Sequence, residues 1–426
     1  MFKFDRKILI LALLYLSFVS LGLPDTLLGT AWPQMRHSFG RPLEFAGLLL
    51  SLTTIFSVIS SLGSGFALRK LGAGLLIAVC ALATGLSMFG YALAAGWSAL
   101  IGFALVFGLG QGAVDTAVNA YMARNYSARH MNWVHCCWGV GAAGGPLILG
   151  LVFTQDLSWR YGYACVGGIQ LALALLFFLS LPLWQKVERG AEAGASMVSP
   201  VLPTSDPVNK AGKAKRDLGK SRLLAACVCG TAFYFLYPGV ELMAGLWGAS
   251  YLSVKFAASP ASAALSITLY WGALTIGRFL AGIFANRVRN RELIRGGLAL
   301  AFGGALLICF AASLSTASLA LVLLGLGLAP LYPTMMHDTP ARVGLQASDR
   351  LTGLQVGAAL AGAASIPALA GFVLERIFTA PTGAVTSGLV QAFGPLLLVF
   401  TILLLLAHEL SLRFSLYNRR NCDNDR

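Results

Sequence analysis

The sequence predicts an all-α membrane protein of twelve transmembrane helices, arranged as two pseudo-symmetric six-helix bundles. Three observations carry that prediction. The chain of 426 residues is 57% hydrophobic and 11% charged, where a soluble protein would carry about 25% charged residues. Apolar runs near twenty residues long recur from end to end, the length that crosses a bilayer. A polar segment near the middle parts these runs six and six, and the two sets resemble each other.

The first run, 8–33, follows Lys3, Arg6 and Lys7. It is too long for a signal peptide, and no small-residue cleavage site leads into a soluble domain, so it reads as an uncleaved helix. Pro33 is expected to end it. Runs at 45–68 and 74–94 flank a short loop with Arg69 and Lys70, and runs at 98–122, 131–154 and 161–184 complete the first set. The stretch 185–221 is polar, rich in Pro, Ala and Gly, and basic toward its end, the composition of a disordered linker. Its last three residues, Gly219 to Ser221, look like the end of a phosphate-binding loop. Ala214 stands where the first glycine of that motif belongs, and no strand precedes it, so no nucleotide site is read. The second set comprises 222–251, 262–285, 293–313, 317–337, 350–374 and 390–411, with Pro330 and Pro333 breaking the tenth helix. The expected division is a bundle at 1–184, a linker at 185–221, a bundle at 222–412 and a tail at 413–426.

A net charge of +14 invites a nucleic-acid partner, but the placement of the charges argues against one. Lys and Arg concentrate in segments that share a side with the N-terminus, the asymmetry of the positive-inside rule. Both termini and the linker are therefore expected in the cytoplasm, with the basic excess facing anionic lipid. The expected setting is a cell membrane of the bacterial inner-membrane type. Cysteines show no paired metal spacing and read as small apolar residues. Neither a metal nor a cofactor is expected, and no nucleophile elbow or zinc-protease motif suggests an enzyme.

The halves match at a nearly constant offset. Gly65 of the stretch 62–72 and Gly282 of the stretch 280–290 are 217 residues apart, and 108–115 aligns with 325–332 at the same offset; Asp25 falls one residue off the register of Glu241. Three such matches indicate an internal duplication, the parallel repeat of a two-bundle transporter.

This organisation resembles the major facilitator superfamily. The family's signature loop between helices two and three is met by "GFALRKLGAG", which keeps Gly65, Lys70 and Gly72 and places Arg69 in the acidic slot. A second copy keeps Gly282 and Arg287, with Asn286 in that slot. "VDTAVNAYM" is similar to a helix-four segment of fucose–proton symporters, with Asp115 and Asn119 in its acidic and amide slots. "GLPDTLL" resembles the segment carrying that group's first acid, and lands on Asp25. "YPGVELMAGLWGASYL" and "NWVHCCWGVGAAGGP" look like the seventh and fifth helices of the same branch. The resemblance implies a proton-coupled carrier whose central cavity is lined by helices one, four, seven and ten.

Asp25, Asp115 and Glu241 lie well inside helices whatever the family. A charge at a helix centre costs about 2.5–3.5 kcal/mol on insertion scales, so such residues face a bundle interior or a watery cavity. Each either steadies packing through a polar neighbour or, since desolvation favours the neutral form of a carboxylate, carries a proton. By spacing, Asp25 is roughly 12 Å from the outer end of its helix and Asp115 roughly 10 Å from the inner end of its own. Pro24 and Pro238 stand close to Asp25 and Glu241 and are expected to kink their helices. Gln111, Asn119, Tyr237, Trp247, Tyr332 and Gln355 are candidate substrate contacts, by stacking or by hydrogen bonding to hydroxyls. His135 reads as a structural histidine, and Arg278 is expected to reach toward the cytoplasmic interface. The expected function is secondary transport of a small polar solute, a sugar being one candidate, coupled to protons by a monomer in the bilayer. Efflux of drugs or amphiphiles is the alternative, and a non-transporting sensor or membrane enzyme a third reading.

Overall fold

The computed structural model describes residues 6–126, 128–195, 220–284, 287–343, 345–377 and 386–415. Among these the chain is helical throughout. The first span is broken into α1 (Arg6–Asp25) and α2 (Leu27–Phe39). The long α3 (Phe45–Leu93) holds two spans, because Gly72 at φ 73° and ψ 164° interrupts it; only glycine takes that backbone without strain. Then follow α4 (Trp97–Asn125), α5 (Ala128–Phe153), α6 (Trp159–Ala195), α7 (Lys220–Phe256), α8 (Pro260–Phe284) and α9 (Asn290–Phe310). The tenth span is split into α10 (Leu314–Leu328) and α11 (Leu331–Val343); α12 (Leu345–Phe372) runs into a π-turn at Val373–Ile377, and α13 (Thr386–Phe414) is last. Eleven helical stretches are long and apolar enough to cross a membrane. The Gly72 break divides one of them, which gives the twelve spans expected.

Two sequence expectations about helix ends are corrected. Pro33 does not end the first span but lies inside α2. The helix stops where Gly40 turns left-handed at φ 58°, with Gly40 N–H and Arg41 N–H returning to the carbonyls of His37 and Arg36, a glycine C-cap. The interruption comes earlier, at Asp25–Thr26, behind Pro24. Pro24 has no N–H for the Ser20 carbonyl one turn back, and the side-chain amide of Gln170 on α6 donates to that carbonyl instead. α6 in turn continues to Ala195, past the expected boundary at 184, since Ala and Glu in "KVERGAEAGA" are good helix formers. Residues 196–219, the rest of the expected linker, lie outside the described residues. So does nearly all of the expected tail.

Within the first half α3 packs on α4 and α6, and α1 on α5; within the second α7 packs on α12 and α13, and α10 on α8 and α9. The α1–α5 seam is built from small residues: a Cβ on Gly22 would lie 2.1 Å from the Trp138 carbonyl oxygen, and one on Gly141 2.3 Å from that of Val19. Such close backbone approach replaces the hydrophobic drive that lipid cannot supply. The outer surface is apolar, with Leu62, Leu179 and Phe310 more than two-thirds exposed, as a bilayer-facing surface must be. Among the described residues seven cysteines are free thiols; Cys80 is buried, whereas Cys165 is exposed.

The halves meet through α5–α8, α3–α12 and α2–α7. Twelve spans put Arg6 at the start of α1 and Phe414 at the end of α13 on one face, and the contacts between halves described next lie at mid-span or toward the other face. Leu43 N–H donates to Glu375 at 3.0 Å and Ser51 Oγ to the Ala364 carbonyl at 2.5 Å. A Cβ on Gly29 would lie 2.4 Å from the Gly245 carbonyl oxygen. Toward the terminal face, by contrast, α4 and α11 share no packed seam among the described residues.

Candidate functional site

At mid-span, where the halves meet, a cavity of about 270 Å³ is lined by Asp25, Gln111, Trp138, Glu241 and Trp271, with Tyr91, Tyr163, Phe107 and Met88 among its walls. The break between α1 and α2 is what turns Asp25 into it. Thr26, the one residue between the two helices, is pinned by its hydroxyl to the Ala142 carbonyl of α5 at 2.7 Å. The Asp25 carboxylate accepts one hydrogen bond, from Trp138 Nε1 on α5 at 2.8 Å. Among the described residues no cation pairs with it.

Glu241 on α7 has the opposite environment. It is buried, and the Arg278 Nη2 of α8 donates to both its carboxylate oxygens, at 3.2 and 3.0 Å. The same nitrogen donates to Tyr237 Oη at 3.2 Å, and Tyr270 Oη donates to the Glu241 backbone carbonyl at 2.9 Å. The Arg278 guanidinium stands 5.5 Å from the centroid of the Trp138 ring. Arg278 therefore does not reach the interface as expected; a buried carboxylate that needs a cation holds it in the interior.

The remaining candidates divide. Gln111 lines the cavity. Asp115, one turn further along α4, accepts from Asn119 Nδ2 at 3.0 Å and lies within electrostatic reach of Asp25 and Tyr332. With the first span running to Phe39 and α4 to Asn125, both acids sit nearer mid-span than the sequence spacing gave. Tyr237 and Tyr332 pack tilted against each other, ring centroids 5.7 Å apart, and neither lines the cavity. Trp247 is kept away from it: fully buried, it donates to the Pro367 carbonyl at 2.9 Å. Gln355 is likewise buried, accepting from Thr339 at 3.2 Å. The loop residues Gly65, Arg69 and Lys70 are exposed at the Gly72 break, where Lys70 Nζ lies 4.5 Å from the centre of the Phe66 ring. Gly282 is inside α8, Arg287 is exposed just after it, and Asn286 lies outside the described residues. His135 is exposed, its ring edge-on to Phe18 at 5.2 Å.

Sequence reasoning missed Trp138, Trp271, Tyr91 and Tyr163 as cavity residues, and misplaced Arg278. The one local signal was Arg278 itself, a cation deep in an apolar helix that implies a buried acid elsewhere.

The Major Facilitator Superfamily profile matches residues 14–347. The chain belongs to the major facilitator superfamily. It is a multi-pass membrane transporter rather than an enzyme, as members of that superfamily are. No curated protein matches it. Among solved structures it is similar to a D-xylose–proton symporter, at 13% identity and a TM-score of 0.71 over 96% of this chain and 98% of that one. A bacterial homolog of the human lysosomal transporter Spinster, in an inward-facing and occupied conformation, aligns at 14% identity and a TM-score of 0.69, covering 97% of each. The nucleoside transporter NupG aligns at 15% and 0.68, over 95% and 99%. At these identities the likeness speaks for the fold. In this superfamily member the cavity is built by both halves, Asp25, Gln111 and Trp138 from the first and Glu241 and Trp271 from the second.

Proposed function

We propose that this major facilitator protein moves a small polar solute across the membrane by alternating access, driven by protons, with Asp25 as the coupling acid. The observation that carries the reading is the inequality of the two carboxylates in one cavity. Glu241 is neutralised by Arg278 at 3.0 Å. Asp25 has only an indole N–H, so its charge is uncompensated, and proton uptake removes the cost of holding it there. Gln111 and the aromatic walls suit a hydroxyl-bearing solute such as a sugar, and the resemblance to the fucose–proton symporter branch agrees with symport. Asp115 serves as the second acid on the proton's way to the terminal face. The two bundles, 1–184 and 222–412, rock about the cavity as a monomer, with both termini in the cytoplasm.

A second reading, efflux of amphiphiles, is favoured by one feature: Met88, Phe107, Tyr91, Trp138 and Trp271 make most of the wall apolar. One screen separates the two. Membrane vesicles with an imposed pH gradient are offered labelled monosaccharides, nucleosides, short peptides and lipophilic amines. Accumulation of a hydrophilic solute supports the first reading; extrusion of the amines alone replaces it with the second; movement of none under a gradient contradicts proton coupling.

A further inference from the structure

Asp25 and Arg278 belong to opposite halves, and Trp138 touches both. Its Nε1 donates to Asp25 Oδ2 at 2.8 Å, its ring lies 5.5 Å from the Arg278 guanidinium, and Trp271 of α8 meets it edge-on at 5.8 Å. An indole N–H only donates, so its bond is strong to an ionised carboxylate and weak to a protonated one. The indole face is the best aromatic partner for a cation. Both contacts are made by one rigid plane, so the ring cannot turn from Asp25 without changing its place beside Arg278. The backbone beneath is held, since Gly22 abuts the Trp138 carbonyl and Gly139 abuts the Thr275 side chain of α8. Motion at this point is therefore a rotation of the ring.

We propose that Trp138 is the positioning residue that transmits the protonation state of Asp25 to the Arg278–Glu241 pair in the other half. The inference rests on the reading of Asp25 as the coupling acid. With Asp25 ionised, the indole is fixed and its face steadies Arg278 on Glu241. When Asp25 takes up a proton the indole is released, Arg278 loses its aromatic support, and the α5–α8 contact loosens where the halves meet.

Other titratable groups lie within electrostatic reach of Asp25, Glu241 or Arg278 or line the same cavity: Asp115 on α4, His135 and Cys136 on α5 with Cys137 beside it, Tyr91 on α3, Tyr163 on α6, Tyr237 on α7 and Tyr270 on α8. The test must isolate Asp25 from them and needs no cargo. Thermal unfolding of the purified full chain is measured for Asp25→Asn, Glu241→Gln and the double variant, first with Trp138 present and then in a Trp138→Phe background. With Trp138 the two effects are non-additive; with Phe they add. The lost bond to a charged group corresponds to about a tenfold change in the coupling constant. Coupling that persists undiminished in Trp138→Phe overturns the proposal, because the carboxylates then sense each other directly. Tryptophan emission against pH is the second readout. The chain has eight tryptophans and His130 stands 5.5 Å from Trp133, so the quantity read is the part of the wild-type pH change that Asp25→Asn removes and that Asp115→Asn, His135→Phe and His130→Phe retain. An emission change identical in wild type and Asp25→Asn also overturns it, and this arm holds even where Trp138→Phe does not fold. Neither readout involves transport, so failure of proton-driven uptake in the vesicle screen is a separate result.

Discussion

Two carboxylates share one cavity and differ in their partners: Glu241 has a guanidinium, whereas Asp25 has an indole N–H. That difference sets what each substitution does. Removing one partner of a buried ion pair leaves the other charge stranded, at about 3–5 kcal/mol, whereas replacing both by apolar groups of similar size is close to neutral. Glu241→Leu and Arg278→Met are each expected to lower the unfolding temperature sharply in detergent, and the double variant less than either. Additive losses would mean that the pair is not a unit. Both acids were legible in the sequence because a carboxylate in a twenty-residue apolar run is costly and therefore conspicuous. Their partners were not. Trp138 and Arg278 come from α5 and α8, and no local spacing shows that those helices meet face to face at Gly139 and Thr275.

The elements show how breaks in helices are made tolerable in lipid. Pro24 releases the Ser20 carbonyl, and Gln170 supplies the missing donor while accepting from the Ser20 hydroxyl. An unsatisfied buried carbonyl costs about 1–3 kcal/mol. Gln170→Leu is accordingly expected to destabilise the chain by about that amount, and Pro24→Ala in the same protein to recover part of it by restoring the backbone donor; no recovery would disprove the exchange of partners. The tenth span is handled differently. It breaks between α10 and α11 at Ala329–Pro330, and α11 is then tied to α13 by a buried cluster in which Arg342 bonds Asp338 at 2.6 Å and Ser411 at 3.3 Å. Helix number and approximate position were legible from the apolar runs. The end of the first span was not, because a proline reads as a stop in water and is only a kink where a neighbour repairs the ladder.

At the scale of the whole molecule, the halves touch from mid-span to the face opposite the termini, where Gly29 meets Gly245 and Leu43 meets Glu375. The halves are thus in contact on that face. The sequence expectation that the termini and the 185–221 segment lie in the cytoplasm is tested by cysteine accessibility. A cysteine introduced in that segment is expected to resist labelling by an impermeant reagent from outside the cell, and one at position 96 to react; labelling of the segment from outside would invert the topology. The repeat was legible because two copies of a loop survive at one offset, whereas which face is closed is a property of one conformation and leaves no mark in composition. The central claim is that Asp25 couples proton movement to the cycle. With whichever solute the vesicle screen finds, gradient-driven accumulation and counterflow are measured side by side for wild type and Asp25→Asn, together with unfolding temperature. Accumulation is expected to be abolished in Asp25→Asn while counterflow and folding persist. Full gradient-driven accumulation by Asp25→Asn, or normal coupling in a poorly folded variant, would contradict it.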